Sequence, residues 1–467
     1  MKNWRGSSAV EQPAHTRYVW GSTPHPATGV RMATGVKDFI DLTGTPYQNG
    51  KKIGMHSKSI LLKRVEQVLK IRKIKKIPSR LIDIRIKDFT EILLRTSPHW
   101  LEEIKGQADA CGVSPDELIL LNCLPDGFYS GLPPGFYLDV RQNCSSFVYI
   151  GDDKNILFKI RDEKNFPQAF LSLNNKGFFF SQAGRDIGNI GFAHFVNEKA
   201  LGGANNTGSF TKHPTDKPLL NDCHVMRYIS ERAGSIGEIP ALIEKLIDKG
   251  VLGGAGSERG AIFLFADREG GLLVECDSMG CVTRFISGGR RVVSNHFTTA
   301  AAGEWESKPP NKNTLLRRKR LRDLLSKSKN GLSPAKAFSM SRDRKNAPDS
   351  LCNDNLEHFW MTVSAQCQFI EKKEPEKSFN YICCGNTLHS AYVPVPLAFR
   401  GTYLPFLDGS FYRAAERSYL SGMACDTVRP EIEKWEKGML GSRKEAGYLF
   451  RQAYEKVSTP VSGKSSG

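Results

Sequence analysis

Residues 143 to 146 read Asn143-Cys144-Ser145-Ser146, a cysteine with hydroxyl residues behind it, placed directly before the β-rich run 147 to 150. Asp162 follows eighteen residues after Cys144. A thiol is weakly nucleophilic until deprotonated, so a reactive cysteine needs a base within hydrogen-bond reach. If the chain is cut between Asn143 and Cys144, the freed α-amino group of Cys144 can be that base, because its reference pKa of about 7.7 to 8.0 lies near neutrality. No histidine is then required. The plain alternative is that Cys144, one of 11 cysteines, packs as a small apolar side chain, as free cysteines commonly do. Taken by itself Cys144 favours packing, so its surroundings must decide.

Those surroundings divide into a helical part before Cys144 and a strand-rich part after it. Gly44, Tyr47, Gly50 and Gly54 punctuate what reads as a short extended segment. A basic helix is expected over 59 to 77, stopping at Pro78, and another near 100 to 110, ended by Gly112. Ser114-Pro115-Asp116-Glu117 reads as an N-cap, a first-turn proline and a capping-box glutamate, opening a helix through 118 to 121. Residues 125 to 142, rich in Gly, Pro and aromatics, read as a loop leading to Cys144. Beyond it, the runs 147 to 150 and 156 to 160 flank the hairpin signal Gly151-Asp152-Asp153-Lys154-Asn155. Further strands are expected at 260 to 266, 272 to 277, 282 to 286 and 292 to 296, with helices near 222 to 233, 238 to 249 and 314 to 326. Strands and helices fall in blocks, which predicts an α+β fold with antiparallel sheets rather than βαβ units.

The ends differ from this middle. Residues 1–37 lack periodicity, and the run from Ser7 to Gly29 resembles the spurious reading frames produced when a tRNA gene is translated. The biological start is expected at Met32, with Met55 as the second option, and no function is assigned to this leader. Residues 421–467 read as a charged tail with one helix over 430 to 454.

The 467 residues suffice for a large core, with 40% apolar and 25% charged residues. No uninterrupted apolar run approaches the ~20 residues of a membrane span, and the first thirty residues carry no apolar signal core. The cysteines form no CxxC pair, so neither a metal nor a redox motif is expected, and a reducing, cytoplasmic setting follows. The net charge of +17 is concentrated. Between Lys51 and Arg95 stand 14 Lys or Arg against 4 Asp or Glu, and a second cluster holds Lys312, Arg317, Arg318, Lys319, Arg320 and Arg322. Such patches can attract nucleic acid, anionic lipid or acidic substrates. The preferred reading is the solvated face of amphipathic helices, since Leu61, Val65, Val68 and Leu69 give the first segment an apolar stripe. No specific nucleic-acid partner is expected.

Taken in order, several motifs resemble the N-terminal nucleophile (Ntn) hydrolases, most closely the penicillin acyltransferase (isopenicillin N acyltransferase) type of autoproteolytic acyltransferases and hydrolases. Over residues 38 to about 405 these are Gly44-x-x-Tyr47-x-x-Gly50-x-x-x-Gly54, then Trp100-x-x-Glu103-x-x-Gly106 with Leu118-x-x-x-Asn122, then Cys144 and Asp162. Asn197-Glu198-Lys199-Ala200-Leu201 before Gly202-Gly203-Ala204-Asn205-Asn206, the element Asn295-His296-Phe297, and Asn313-Thr314-x-x-Arg317-x-x-Arg320-Leu321 complete the set. The chain departs from the family's Gly-Arg-Asn-x-Asp pattern, reading Phe158-Lys159-Ile160-Arg161-Asp162. The departure bears on substrate handling near that strand.

The resemblance implies a four-layer αββα sandwich with a helical N-terminal segment (38–143) and a catalytic region (144–420), cut between Asn143 and Cys144 into chains that stay associated. It implies an acyl-enzyme on Cys144 formed from a small-molecule acyl amide or thioester, with no cofactor and with acyl-CoA open as a co-substrate. Asn295 would donate to the oxyanion, Asn205 (or Asn206, if the register slips by one) would assist, Asp162 would hold the new amino group, and Ser146 would help the cut. Competing readings stand beside these. Asn295 ends a β-run where asparagine also serves as a turn residue, Asn205-Asn206 beside Gly202-Gly203 reads first as a turn, and His296 reads as structural. Arg317 and Arg320 read first as a solvated helix face, with a carboxylate- or CoA-binding role open to them, and a substrate-binding role is open to Arg161 and His296. Two alternatives remain for the whole chain: an amidase of the related choloylglycine-hydrolase type, and an uncut Ntn-fold protein whose basic faces bind anionic partners.

Overall fold

The computed structural model describes residues 39–124, 144–164, 166–328, 331–347, 349–353, 360–420 and 425–440. The leader expected over 1–37, Asn143 and the part of the tail helix expected beyond 440 lie outside them. After strand β1 (Phe39–Ile40) come four helices, α1 (Pro46–Ile74), α2 (Ser79–Thr96), α3 (Pro98–Cys111) and α4 (Pro115–Cys123). The expected capping box at Ser114 forms, with Ser114 Oγ accepting from Glu117 N at 3.2 Å and Ser114 N donating to Glu117 Oε2 at 2.9 Å. Gly112 ends α3 in the left-handed region at φ +75°.

The segment 44 to 54 corrects an expectation: from Pro46 onward it is helical, not extended. A second capping box, Thr45 with Gln48, and Pro46 at the first turn start α1 there. Interior glycines cost a helix about 1 kcal/mol each relative to alanine, but packing offsets that cost. A Cβ on Gly50 would stand 2.0 Å from the Glu103 carbonyl oxygen, and one on Gly106 would stand 2.1 Å from that of Tyr47. These glycines let α1 and α3 lie backbone against backbone.

The strands are β2 (Ser145–Ile150), β3 (Lys154–Lys164), β4 (Gln168–Leu173), β5 (Ser181–Asp186), β6 (His194–Asn197) and β7 (Gly202–Phe210). After helices α5 (Asp222–Arg232) and α6 (Ile239–Asp248) follow β8 (Arg259–Ala266), β9 (Gly271–Cys276), β10 (Cys281–Ile286) and β11 (Gly289–Val293). Helices α7 (Ala300–Gly303), α8 (Lys312–Ser326) and α9 (Pro334–Ser341) then lead to β12 (Trp360–Glu371), β13 (Phe379–Cys384), β14 (Val393–Pro396) and β15 (Thr402–Tyr403). Last come α10 (Leu404–Leu407), α11 (Ser410–Leu420) and α12 (Cys425–Leu440), which starts before Pro430 and carries it inside. The described strands form two large antiparallel sheets, neither closed, with seven strands in the order β10-β9-β8-β7-β6-β5-β4 and six in the order β11-β2-β3-β12-β13-β14, and a small antiparallel pair, β1-β15. The mixed helix and sheet composition agrees with the α+β expectation.

Successive side chains of a strand point to opposite faces, and β2 and β3 supply two cores in this way. Val148 and Leu157 join Val196, Ile262 and Leu264 of the seven-stranded sheet. Phe147 and Phe158, stacked at 4.9 Å, join Ile160 and the residues Leu321, Leu325 and Phe338 of α8 and α9. The helices α1 to α6 bury their apolar stripes with the outer side chains Phe195, Phe263 and Phe265 of the seven-stranded sheet.

A buried ion cluster ties the helical segment to the rest. Glu103 of α3 accepts from Arg227 of α5 at 2.6 Å and from Arg185 of β5 at 3.0 Å. Arg227 Nε donates to Glu231 at 2.8 Å, and Glu231 also takes the indole N–H of Trp100.

Candidate active site

Cys144 stands at the mouth of β2, 6% exposed, with its Sγ 3.9 Å from the backbone oxygen of Asp162. Its own carbonyl accepts from Arg317 Nη1 at 2.6 Å. The two serines behind it diverge, as strand alternation requires. Ser145 Oγ accepts from the same Arg317 nitrogen at 2.9 Å, whereas Ser146 Oγ donates to Asn206 Oδ1 at 2.6 Å, across the space between the sheets.

Asp162 is fully buried on β3. Thr362 of β12 donates to its Oδ1 at 2.6 Å, while Oδ2 has no hydrogen-bond partner among the described residues. Burial pushes the carboxyl up to about 7, against the attraction of Arg317 and the Thr362 bond. The β3–β12 register shifts between Thr362 and Ser364, so a bulge sits at this residue pair. Bulges re-aim side chains and are frequent beside active sites.

Asn295 follows β11, and every atom of its amide has a determined role. Its backbone N–H donates to Thr314 Oγ1 at 2.8 Å. Its Oδ1 accepts from Arg317 Nη2 at 2.8 Å and its Nδ2 donates to the Thr207 carbonyl at 2.9 Å. A guanidinium can only donate, so the amide orientation is fixed. The bond to Thr207 uses one Nδ2 hydrogen and leaves the second for another acceptor. Arg317 is thus not on a solvated face but fully buried, and Asn313 Oδ1 receives its Nε at 2.8 Å. It braces Cys144, Ser145 and Asn295 in one plane of donors.

The remaining residues of the expected site are placed elsewhere or otherwise engaged. Asn205 points across the other face of β7, donating to Asp222 at 2.7 Å and to the Cys223 sulfur at 3.5 Å. Its neighbour Asn206 is the one that meets Ser146, and Asn206 Nδ2 is buried without a partner among the described residues. Arg161 grips Asp186 with two nitrogens at 2.6 and 3.0 Å, and Arg320 Nε donates to Asp343 at 2.9 Å. Neither guanidinium is brought to Cys144. His296 lies within 3.0 Å of Thr314 Oγ1, and burial with Arg318 and Arg317 nearby drives its pKa down to about 4. The imidazole is therefore neutral and enclosed near neutral pH.

Sequence reasoning missed Thr362, which approaches Asp162 from two hundred residues away and leaves no local signal. Lys159 was registered only as a departure from a pattern. It sits opposite Ser146 in the β2–β3 register, is 1% exposed, and donates to the Asn205 carbonyl. A lysine inside the apolar run 156 to 160 was a usable signal, since such a group is almost never fully buried unless partnered. The other departures, Phe158 and Ile160, face the opposite side and fill the core beneath α8.

Among the described residues no group of His, Cys, Asp or Glu could hold a metal ion, and no helix is long and apolar enough to cross a membrane. No protein-family model matches the sequence, and no curated protein matches it. Among solved structures, a mutant of the conjugated bile acid hydrolase from Clostridium perfringens is similar at 12% identity and a TM-score of 0.31. The match covers 55% of this chain and 92% of that one. A variant of the same hydrolase gives 13% and 0.29 over 54% of this chain and 92% of that one. The Caenorhabditis elegans ortholog of N-acylethanolamine-hydrolyzing acid amidase gives 9% and 0.33, covering 48% of this chain and 92% of its own. Likenesses of this size define no family for the chain.

Proposed function

We propose that this chain is a self-processing cysteine hydrolase of the Ntn type, a four-layer αββα sandwich with Cys144 as its nucleophile. The observation that carries the reading is the unpartnered Oδ2 of Asp162. A buried carboxylate oxygen without a donor costs about 1–3 kcal/mol or more. The ammonium released by a cut before Cys144 is the donor we assign to it.

In the cut, the thiolate of Cys144 attacks the Asn143 carbonyl, the C–N bond breaks, and a thioester forms as the amine leaves with a proton. Water then opens the thioester, giving the Asn143 carboxylate and restoring the thiol. Ser146, held on Asn206, is the hydroxyl we assign to proton movement in this step. In turnover, the α-amine takes the thiol proton and the thiolate attacks a linear amide or thioester. The oxyanion receives the second Nδ2 hydrogen of Asn295, and the α-ammonium protonates the leaving group. Water, or an amine in a transfer reaction, resolves the acyl-enzyme with the α-amine again as base. A CoA thioester is one possible donor. The helical fragment stays bound through the Glu103 cluster and the shared core.

Intact-mass measurement and N-terminal sequencing test the proposal. A fragment beginning Cys144-Ser145-Ser146 is expected, and Cys144→Ala should abolish it. A single 52.0 kDa chain after prolonged incubation would overturn the reading.

A further inference from the structure

The second basic cluster of the sequence is only partly a solvated helix face. Successive residues on a helix point about 100° apart. Arg317 therefore reaches Cys144 while Arg318 and Arg322, one turn apart, face the edge strand β11. There they meet Arg290 and Arg291, and the four arginines line a cavity of about 290 Å³ with Val292, Leu325 and Ser326. No carboxylate lines it.

The arginines donate to neutral partners. Arg290 Nη2 donates to the Ser328 carbonyl at 2.8 Å, Arg291 Nη2 to Thr298 Oγ1 at 2.9 Å, and Arg318 Nε to the Val292 carbonyl at 3.1 Å. Among the described residues none of the four forms an ion pair, and the buried Arg291 Nε has no hydrogen-bond partner. Glu275 offsets part of the charge of Arg291 and Arg318, but its oxygens make their hydrogen bonds to the N–H and hydroxyl groups of Thr298 and Thr299 at 2.6 to 2.9 Å, and one carboxylate leaves the four arginines in excess. Burial lowers the pKa of Arg291 and of Arg318; Glu275 opposes this, while Arg284 and Arg322 push Arg291 down further and Arg291 and Arg322 do the same to Arg318.

We propose that the cavity between β11 and α8 binds a diphosphate-type anion, the phosphoryl end of a larger molecule that is either free in solution or carried on a lipid. Guanidinium forks match phosphoryl oxygens two at a time, and one carboxylate could neutralise only a single arginine of the four. The cavity lies at the lower end of the ~300–1,000 Å³ range of small-molecule sites, and only Val292 and Leu325 offer apolar surface. That composition fits a compact, multiply charged group rather than an acyl chain. The site is separate from the chemistry assigned to Cys144 and does not depend on it.

Calorimetric titration of the full chain with inorganic pyrophosphate at physiological ionic strength tests the site. Saturable binding is expected, weakened roughly tenfold or more by Arg322→Glu. Arg322 is exposed, so the fold should survive, and Arg322→Gln provides a second, uncharged variant. Lys319→Glu, on the same helix but paired with Asp323 away from the cavity, should leave affinity within about twofold. Absence of saturable binding, or equal losses in the Lys319 and Arg322 variants, would overturn the proposal. Sedimentation with phosphoinositide vesicles against phosphatidylcholine vesicles separates the sources. Recruitment that pyrophosphate competes and Arg322→Glu removes supports a lipid-borne group, and pyrophosphate binding without recruitment supports a soluble one.

Discussion

The buried polar clusters around Glu103 and around Cys144 follow opposite rules. Around Glu103 the charges close on one another: both carboxylate oxygens have guanidinium partners, and Arg227 passes the network on to Glu231 and Trp100. Around Cys144 the network is left open, with Asp162 Oδ2 and Asn206 Nδ2 lacking partners among the described residues. Burial acts upward on both acids. At Glu103, Arg227 and Arg185 overcome it and hold the carboxyl below its usual range, whereas at Asp162 the more distant Arg317 does not. A closed network fixes structure, and an open one keeps donors and acceptors for something still to come.

The contrast can be broken most directly at Glu103. Glu103→Ala leaves Arg227 and Arg185 buried with incomplete compensation, and denaturant unfolding should show a loss of about 3–5 kcal/mol. A loss below about 1 kcal/mol would show that the closed cluster is not structural. Next in size, Asn295→Ala should slow appearance of the Cys144 fragment by ~10²–10³, read by timed mass spectrometry.

The third test uses pH. With a pKa raised from 3.8 to about 7, Asp162 binds its proton more tightly in the folded chain. Its stabilising contribution is therefore complete below pH 3.8 and is lost as pH rises to about 7. In the uncut Cys144→Ala protein, adding Asp162→Asn should remove a pH-dependent loss on the order of a few kcal/mol between those limits. Identical pH profiles for the single and double variants would show that Asp162 already has its counter-charge. The smallest effect on stability is expected for Ser146→Ala, which withdraws one hydrogen bond from Asn206 and should cost about 1 kcal/mol in denaturant unfolding of the uncut chain.

Local chemistry was legible in the sequence and long-range chemistry was not. The capping box at Ser114, the glycine stop at Gly112 and the β2–β3 hairpin rest on contacts within a few residues, and they form where expected. The glycines of α1 misled because their cost to a helix is local while the compensating approach of α3 is not. Helix α2, immediately after Pro78, was not assigned, since a proline stop hides an immediate restart. Asn205 and Asn206 could not be told apart because a one-residue shift exchanges the two faces of a strand. Arg317 looked like its exposed neighbours, and only the pairing of β11 with β2 brings α8 onto Cys144.

Arg317 has a further consequence, one of timing. The hydrogen-bond network that reaches Cys144 draws on positions 162, 295, 317 and 362, so a ribosome must have released most of the chain before the nucleophile is equipped. A half-made or truncated polypeptide would carry Asn143-Cys144 but not the means to break it. Scission, on the proposed reading, then serves as a receipt for a finished fold, and fragments missing the region of α8 and β12 should persist intact.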